Sequence, residues 1–349
     1  MVAVDAAPAA RQSITGTELY ALELLRRLPA AAPWCDFVQY SSRPGPRSGL
    51  DLTVLPTRRL WAQVRLPIRL HRTRPELFFS PAHVVPVLAP GPSLTVVHDL
   101  AFERWPKAYP ARQRAYLQFT TRWAARRCPL LITVSKSTGR DLELYYGVGP
   151  ERIVVVSPGL TPPPPPPSAA QVSDRLRRLG IERPFALQVG RVEARKNQLS
   201  ALRAVELAGE LDYVSAGAIE DSALAQTLAR SPRARILGRT SPADLEALYA
   251  GAEVVLVASL YEGFGFPVLE AMARGVPVVA ADNSSLPEVG ADAALYVGDT
   301  SDQREFATAI NRARSESPAL AERGRLRAQA FSWEQTAAGV AEVVRRLIG

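Results

Sequence analysis

Cysteine, methionine, histidine and lysine are all scarce in this chain of 349 residues. The two cysteines, Cys35 and Cys128, are too few for a disulfide framework and suit a reducing compartment; neither has a metal-ligand neighbour at a useful spacing. No apolar run reaches the ~18–20 residues of a membrane span. The best candidate is broken by Pro86, Pro90, Gly91 and Pro92. The opening stretch, MVAVDAAPAARQ, lacks the basic-then-apolar layout of a secretory signal, so the expectation is a cytoplasmic protein. No Gly-x-Gly-x-x-Gly follows a first strand, and GVGPER and GFGFP stand in the wrong context for one, which argues against a nicotinamide dehydrogenase. The net charge is +8 and the pI about 9.8. No aromatic-interleaved basic stripe, zinc-finger spacing or recognition-helix pattern accompanies that charge, so nucleic acid is not the expected partner. An anionic substrate and an anionic membrane surface remain. Of 42 basic residues only Lys107, Lys136 and Lys196 are lysine, which makes each lysine notable.

What is present reads as α/β. The composition is globular, with 47% hydrophobic and 22% charged residues, and the length exceeds the ~250–300 residues at which single cores stop growing. Short β-branched runs alternate with longer amphipathic stretches, as in βα units on a parallel sheet. In the first half the expected strands are 2–5, 37–41, 77–80, 94–98 and 131–135, with helices over 18–28 and 112–127. The stretch TPPPPPPS, residues 161–168, cannot enter a helix or a central strand and forms a stiff extended segment. Beyond it the alternation restarts, with strands expected at 185–189, 212–216, 234–237, 254–258 and 276–280. Helices are expected at 245–249 and 267–274, and a last one over about 334–347. The domains expected are 1–161 and 169–332, joined by a proline linker at 162–168, with a terminal helix in 333–349. Two doubly wound Rossmann-like domains leave a cleft, and ligands of open α/β sheets lie beyond the carboxyl ends of the strands.

Three motifs stand at such ends. Residues 261–280, YEGFGFPVLEAMARGVPVVA, follow the apolar run AEVVLVAS. Gly263 and Gly265 let the backbone, with Phe264 between them, approach a ligand; Pro267 suits a helix start and Gly275 a helix end. The helix start attracts an anion. Glu262 and Glu270 would repel one, so they are read as addressing hydroxyls on the same ligand. Glu270 suits a ribose diol, and Glu262 suits sugar hydroxyls and the positive charge developing at an anomeric carbon. An anionic middle with two hydroxyl-rich ends describes a nucleoside-diphosphate sugar. The alternative is a tight turn with two solvated acids. In VGRVEARKN, residues 189–197, Arg191 and Lys196 can both reach one diphosphate across a turn; two surface cations are the alternative. In VVHDL, residues 96–100, His98 stands at a strand's carboxyl end, where it is expected either to face the cleft opposite Glu262 or simply to cap the strand, and Asp99 is expected to hold the loop.

The arrangement around Glu262 and Glu270 resembles the Glu-x7-Glu motif of retaining glycosyltransferases of the GT-B fold, in particular family 4. The resemblance covers essentially the whole chain and is most specific in YEGFGFPVLEAMARGVPVVA. It implies that Arg191 and Lys196 neutralise the leaving nucleotide diphosphate in place of a metal ion, so that no cofactor is needed and the nucleotide sugar is a co-substrate. No Asp-x-Asp, the metal motif of the GT-A class, occurs anywhere. It places His98 beside the donor sugar, orienting hydroxyls or stabilising the transition state. SITGTELYALELLRRL, residues 13–28, is similar to the family's glycine loop, here with only Gly16, followed by Thr17. ARILGRTSPADLEALYAGAEVVL is similar to the segment lining the base pocket, where backbone near Leu237 and Gly238 reads the nucleotide. In SLPEVGADAALYV, Glu288 is implied to be structural, and FSWEQTA with its helix is implied to cross back to the first domain.

VVHDLAFERWPKAYP, residues 96–110, resembles a subgroup of mannosyltransferases of polysaccharide assembly. GDP-mannose is therefore the first expectation for the donor, with UDP-glucose, UDP-galactose and UDP-N-acetylglucosamine behind it. The acceptor implied is a glycan or lipid-linked glycan at the inner membrane face. RRLWAQVRLPIRLHRTR, residues 58–74, suits docking on anionic lipid or, equally, packing on the sheet. A nucleotide-sugar epimerase, a phosphorylase and a non-catalytic sugar-binding homologue are the rival classes.

Overall fold

The computed structural model describes residues 1–11, 16–45, 49–57 and 60–349. Seven parallel strands form the first sheet: β1 (Val2–Asp5), β2 (Phe37–Ser41), β3 (Leu52–Val54), β4 (Leu77–Ser80), β5 (Ser93–Val97), β6 (Leu131–Thr133) and β7 (Ile153–Val155). Their order is β3-β2-β1-β4-β5-β6-β7. Six parallel strands form the second: β8 (Phe185–Val189), β9 (Asp212–Ala216), β10 (Ala234–Ile236), β11 (Val254–Val257), β12 (Val278–Ala281) and β13 (Leu295–Val297), in the order β10-β9-β8-β11-β12-β13. Helices cover both faces of each parallel sheet, so central strands such as β1, β4, β5 and β11 are buried along their whole length.

The chain divides into two compact units, Met1–Gly159 with Phe331–Gly349, and Leu160–Ala330. The proline run begins the second unit. The terminal helix Trp333–Ile348 belongs to the first, where it packs on the helix Gly16–Ala31. Trp333 is fully buried against Tyr20, and Arg27 Nε donates to Glu334 at 2.7 Å. Thr336 Oγ1 donates to the Ser157 carbonyl at 2.8 Å, tying the helix to the end of the segment that follows β7.

Three strands were not expected from the sequence: β3, β7 and β13. Each is three residues long, lies at a sheet edge and is only partly covered, so it offers little length from which to read a strand. The amphipathic stretch expected over 58–74 is a π-helical turn, Trp61–Arg65, running into an α-helix, Leu66–Thr73, with residues 58–59 outside the described part. The helix expected from Pro267 begins one residue earlier, at Phe266, and ends at Ala273.

Both strand orders contain one reversal. In the first sheet it lies between β1 and β4, in the second between β8 and β11. Crossover helices leave such a pair on opposite sides, opening a crevice at the carboxyl ends, where ligands of open α/β sheets bind.

Candidate active site

In the second unit, the loop after β8 and the loop after β11 meet at that reversal. Beyond β8 the chain runs alongside the end of β9: Gly190 N donates to Ala216 O at 2.9 Å and Val192 N to Ala218 O at 2.8 Å. The two backbones close up at Gly217, whose φ is +152° and where a Cβ would lie 2.0 Å from the Gly190 carbonyl oxygen. The loop then makes a short turn, Ala194–Lys196, and Asn197 takes the left-handed φ of +53° that starts the helix Gln198–Leu207. A buried relay supports the turn from below: Tyr213 donates to Gln188 at 2.9 Å, and Gln188 Nε2 donates to the Lys196 carbonyl at 2.7 Å. Arg191 stays outside this scaffold. Its carbonyl accepts from Gln198 at 2.6 Å, but its guanidinium is exposed and has no partner among the described residues.

Glu262 is the centre of the arrangement. Only 8% exposed, it takes the ammonium of Lys196 on Oε1, the Ser259 hydroxyl on the same oxygen at 2.6 Å, and Arg195 Nη1 on Oε2 at 3.4 Å. Burial by itself pushes this carboxyl up. The Lys196 and Arg195 charges, with the Lys196 and Ser259 hydrogen bonds, outweigh burial and hold it below the ordinary carboxylate value. The Lys196 charge is thus shared with Glu262. The loop itself is pinned by side chains. Arg195 donates to the Tyr261 carbonyl at 2.7 Å, Ser284 accepts from Glu262 N at 3.0 Å, and Ser285 Oγ contacts the carbonyls of Glu262 and Phe264 at 2.9 and 2.6 Å.

Gly265 caps the next helix at a φ of +113°, and a Cβ there would press on Leu286 at 2.9 Å. Phe264 is buried edge-to-face on Phe266. Glu270, one turn into Phe266–Ala273, accepts from the Tyr249 hydroxyl at 2.8 Å on Oε2, while Oε1 has no partner among the described residues. Burial pushes its carboxyl up, against the Tyr249 hydrogen bond and the nearby Arg274 charge. Arg274 stacks over the Tyr249 ring at 4.6 Å and is held by Glu246, which fixes Tyr249 in turn.

In the first unit, His98 follows β5. Its Nε2 lies 2.8 Å from the Pro81 carbonyl, an acceptor only, so Nε2 carries the proton and Nδ1 has the lone pair. Burial lowers its pKa, against the Pro81 hydrogen bond and the charges of Asp99 and Glu18, so the ring is neutral at pH 7. Tyr20 stands edge-on to His98 at 4.9 Å and to Trp333 at 6.0 Å, so the terminal helix backs the histidine through one buried ring. Asp99 accepts from Ala101 N at 3.1 Å, organising the loop.

Residues 14–162 match the family described as Glycosyltransferase Family 4, and residues 175–333 that described as Glycosyl transferases group 1. O-antigen chain mannosyltransferase B of Escherichia coli is 30% identical over 256 residues, 69% of this chain and 67% of that protein. The chain belongs to glycosyltransferase family 4. MMP alpha-(1->4)-mannosyltransferase of Mycolicibacterium hassiacum is 31% identical over 250 residues, 70% of this chain and 60% of that protein, so the chain spans about two thirds or less of the length of these curated relatives. The crystal structure of Anabaena HepE in complex with UDP-glucose matches with a TM-score of 0.76 at 18% identity, over 99% of both chains. That likeness is one of fold, and the family 4 glycosyltransferase has the GT-B fold.

The remaining expected residues fall as follows in this glycosyltransferase. Gly16 and Thr17 open the helix Gly16–Ala31, and residues 13–15 of the same stretch lie outside the described part. Leu237 and Gly238 follow β10, but the sheet already uses Leu237 N and the Gly238 carbonyl, bonded to Ser215 O and Gly217 N at 2.9 and 2.8 Å. The Leu237 carbonyl and the Gly238 N–H have no partner among the described residues. Gly263 sits buried between Glu262 and Phe264. Sequence reading missed Arg195, Ser259, Ser284 and Ser285, which position Glu262, and Tyr20, which backs His98. It also passed over His83, three residues beyond β4 at a strained φ of +65°, whose ring burial pushes down to about 4.

Proposed function

We propose that this family 4 glycosyltransferase moves a hexosyl group from a nucleotide-diphosphate sugar to a hydroxyl of a glycan or lipid-linked glycan, with retention at the anomeric carbon. The donor read first is GDP-mannose, on the mannosyltransferase relatives; the UDP-glucose bound in the HepE structure supports UDP-glucose as the second reading. The observation that carries the proposal is the buried Glu262 cluster at the β8/β11 reversal, with Arg191, which has no side-chain partner among the described residues, on the same loop as Lys196.

Arg191, Arg195 and Lys196 stand on one loop against the two carboxylates Glu193 and Glu262, so the local charge favours a bound diphosphate even after both are counted. Arg191 and Lys196 supply the charge a metal ion supplies elsewhere, and the reaction proceeds without one. Lys196 then bridges Glu262 and a phosphate oxygen instead of leaving its partner. Glu262 turns its remaining acceptor capacity to sugar hydroxyls, and Oε1 of Glu270 takes the ribose diol. Neutral His98 offers Nδ1 as a hydrogen-bond acceptor for a sugar hydroxyl. The leaving phosphate takes the acceptor's proton on the same face, through an oxocarbenium-like state.

No helix among the described residues is long and apolar enough to cross a membrane. We read the protein as cytoplasmic and peripheral at the inner membrane face. Leu60, Val64 and Ile68 are exposed at intervals of four, with exposed Arg65 and Arg72 among them, which supports docking on anionic lipid. Flotation with liposomes that does not depend on anionic lipid removes this part of the reading.

A thermal-shift panel of GDP-, UDP- and ADP-sugars, repeated with EDTA, tests the donor. A ligand at ~100 times its Kd adds about 2.7 kcal/mol, which such a panel resolves. Slow release of free sugar from the stabilising donor, without acceptor, separates an enzyme from a binding homologue. Absence of both effects for every sugar nucleotide overturns the proposal.

A further inference from the structure

The reversal in the first sheet carries a feature that the donor chemistry leaves unused. Asp5 ends β1, beside β4, and is 6% exposed. Its Oδ1 accepts two hydrogen bonds, from Trp61 Nε1 at 2.9 Å and from Ala7 N at 3.0 Å. Oδ2 has no partner among the described residues. The neighbouring cation, Arg11, is bound to Glu18 at 2.7 Å. An asparagine would serve both structural hydrogen bonds through one oxygen and bury no charge, so the negative charge exceeds what the fold requires.

Trp61 has its own irregularity. It opens the π-helical turn Trp61–Arg65, directly after Leu60 at a left-handed φ of +55°. Such turns are rare and recur at functional sites, and a strained residue persists only where its surroundings over-determine it. The indole is half-buried, with its N–H spent on Asp5. A carboxylate oxygen beside a partly open aromatic ring suits a pyranose: the oxygen accepts a hydroxyl, and the ring covers the C–H face.

We propose that Asp5 and Trp61 form the subsite for the acceptor sugar, a hexopyranosyl unit held by one hydroxyl on Asp5 Oδ2. This rests on the transferase reading above. The test uses the full chain, whichever sugar nucleotide the wild type consumes, and the methyl α-D-pyranosides of mannose, glucose and galactose as acceptors. Asp5→Asn keeps both structural hydrogen bonds, and its acceptor KM is expected to rise tenfold or more while its donor KM stays within twofold. Trp61→Ala is expected to do the same, whereas Trp61→Phe, which keeps a ring, holds the acceptor KM within about threefold of wild type. An unchanged acceptor KM in Asp5→Asn overturns the proposal, as does an equal rise in both KM values. So does a wild type that consumes donor but transfers to none of the three glycosides. A wild type that consumes no sugar nucleotide overturns the transferase reading itself, and this subsite with it.

Discussion

Replacing Lys196 with methionine keeps the length and apolar stem of the side chain and removes only its charge. In the native protein that charge sits on Glu262, whose side chain is 10% exposed against 13% for Lys196. Removing one partner of a buried pair costs about 3–5 kcal/mol, because the other charge is left in a poor solvent. Here Ser259 at 2.6 Å and Arg195 at 3.4 Å still serve Glu262, which puts the expected loss near the lower end, about 3 kcal/mol at pH 7.5. For a unit of this size that is a fall of roughly 6–12 °C in Tm.

The sign of the pH dependence identifies the cause. In the wild type the Glu262 carboxyl lies below its ordinary value, so its contribution is present above the unfolded pKa and fades as pH falls through the folded one. Without Lys196, burial raises the carboxyl instead. The penalty is then largest at neutral pH and shrinks as pH falls and Glu262 takes up a proton. Calorimetry at pH 5.5 and 7.5 reads the second unit. Tryptophan fluorescence is an internal control, since Trp34, Trp61, Trp105, Trp123 and Trp333 all lie in the first unit and their transition stays in place. The double variant Lys196→Met with Glu262→Gln removes the stranded charge and recovers most of the loss. Equal losses at both pH values, or a double variant as unstable as the single one, would refute the account of the pair.

Arg191→Ala has the opposite profile. Its guanidinium is exposed and has no partner among the described residues, so stability shifts by no more than about 0.5 kcal/mol, whereas kcat/KM for the donor falls ~30- to 1000-fold in steady-state assays. Gly217→Ala places a methyl group 2.0 Å from the Gly190 oxygen at a φ of +152°, and the second unit loses roughly 3 kcal/mol or more in urea unfolding, with the loop after β8 displaced. Burial pushes Asp5 up from 3.8 to about 6, against its hydrogen bonds from Trp61 and Ala7. Its stabilising effect is thus complete below the unfolded pKa and is lost as pH rises through about 6, a swing on the order of 3 kcal/mol. Asp5→Asn flattens that part of the stability profile, read by tryptophan fluorescence between pH 4 and 7.5, and is more stable than wild type at the upper end.

The α/β class, the parallel sheets and the central strands were legible because their information is local. Buried strands are short apolar runs such as VVLV and VVAA, and the helices between them repeat at their own period. β3, β7 and β13 are three residues each, too short for runs such as IVV or LYV to mark a strand by themselves. The Glu262–Glu270 spacing and the helix bounds at Pro267 and Gly275 were readable for the same reason: each lies within one short stretch of chain.

Tertiary structure decided who neutralises whom. Lys196 and Glu262 are 66 positions apart and meet only because β8 and β11 lie side by side in the second sheet. In an arginine-rich chain nothing marks Arg195 as the cation turned inward and Arg191 as the one turned out. The Nε2 proton of His98 depends on the Pro81 carbonyl, and the carboxyl of Asp5 is raised by burial against the hydrogen bond of an indole from a distant segment. Residue order carries the period of an element and the residues of a turn, whereas a side chain's charge state depends on burial and on neighbours that only folding brings within a few ångströms.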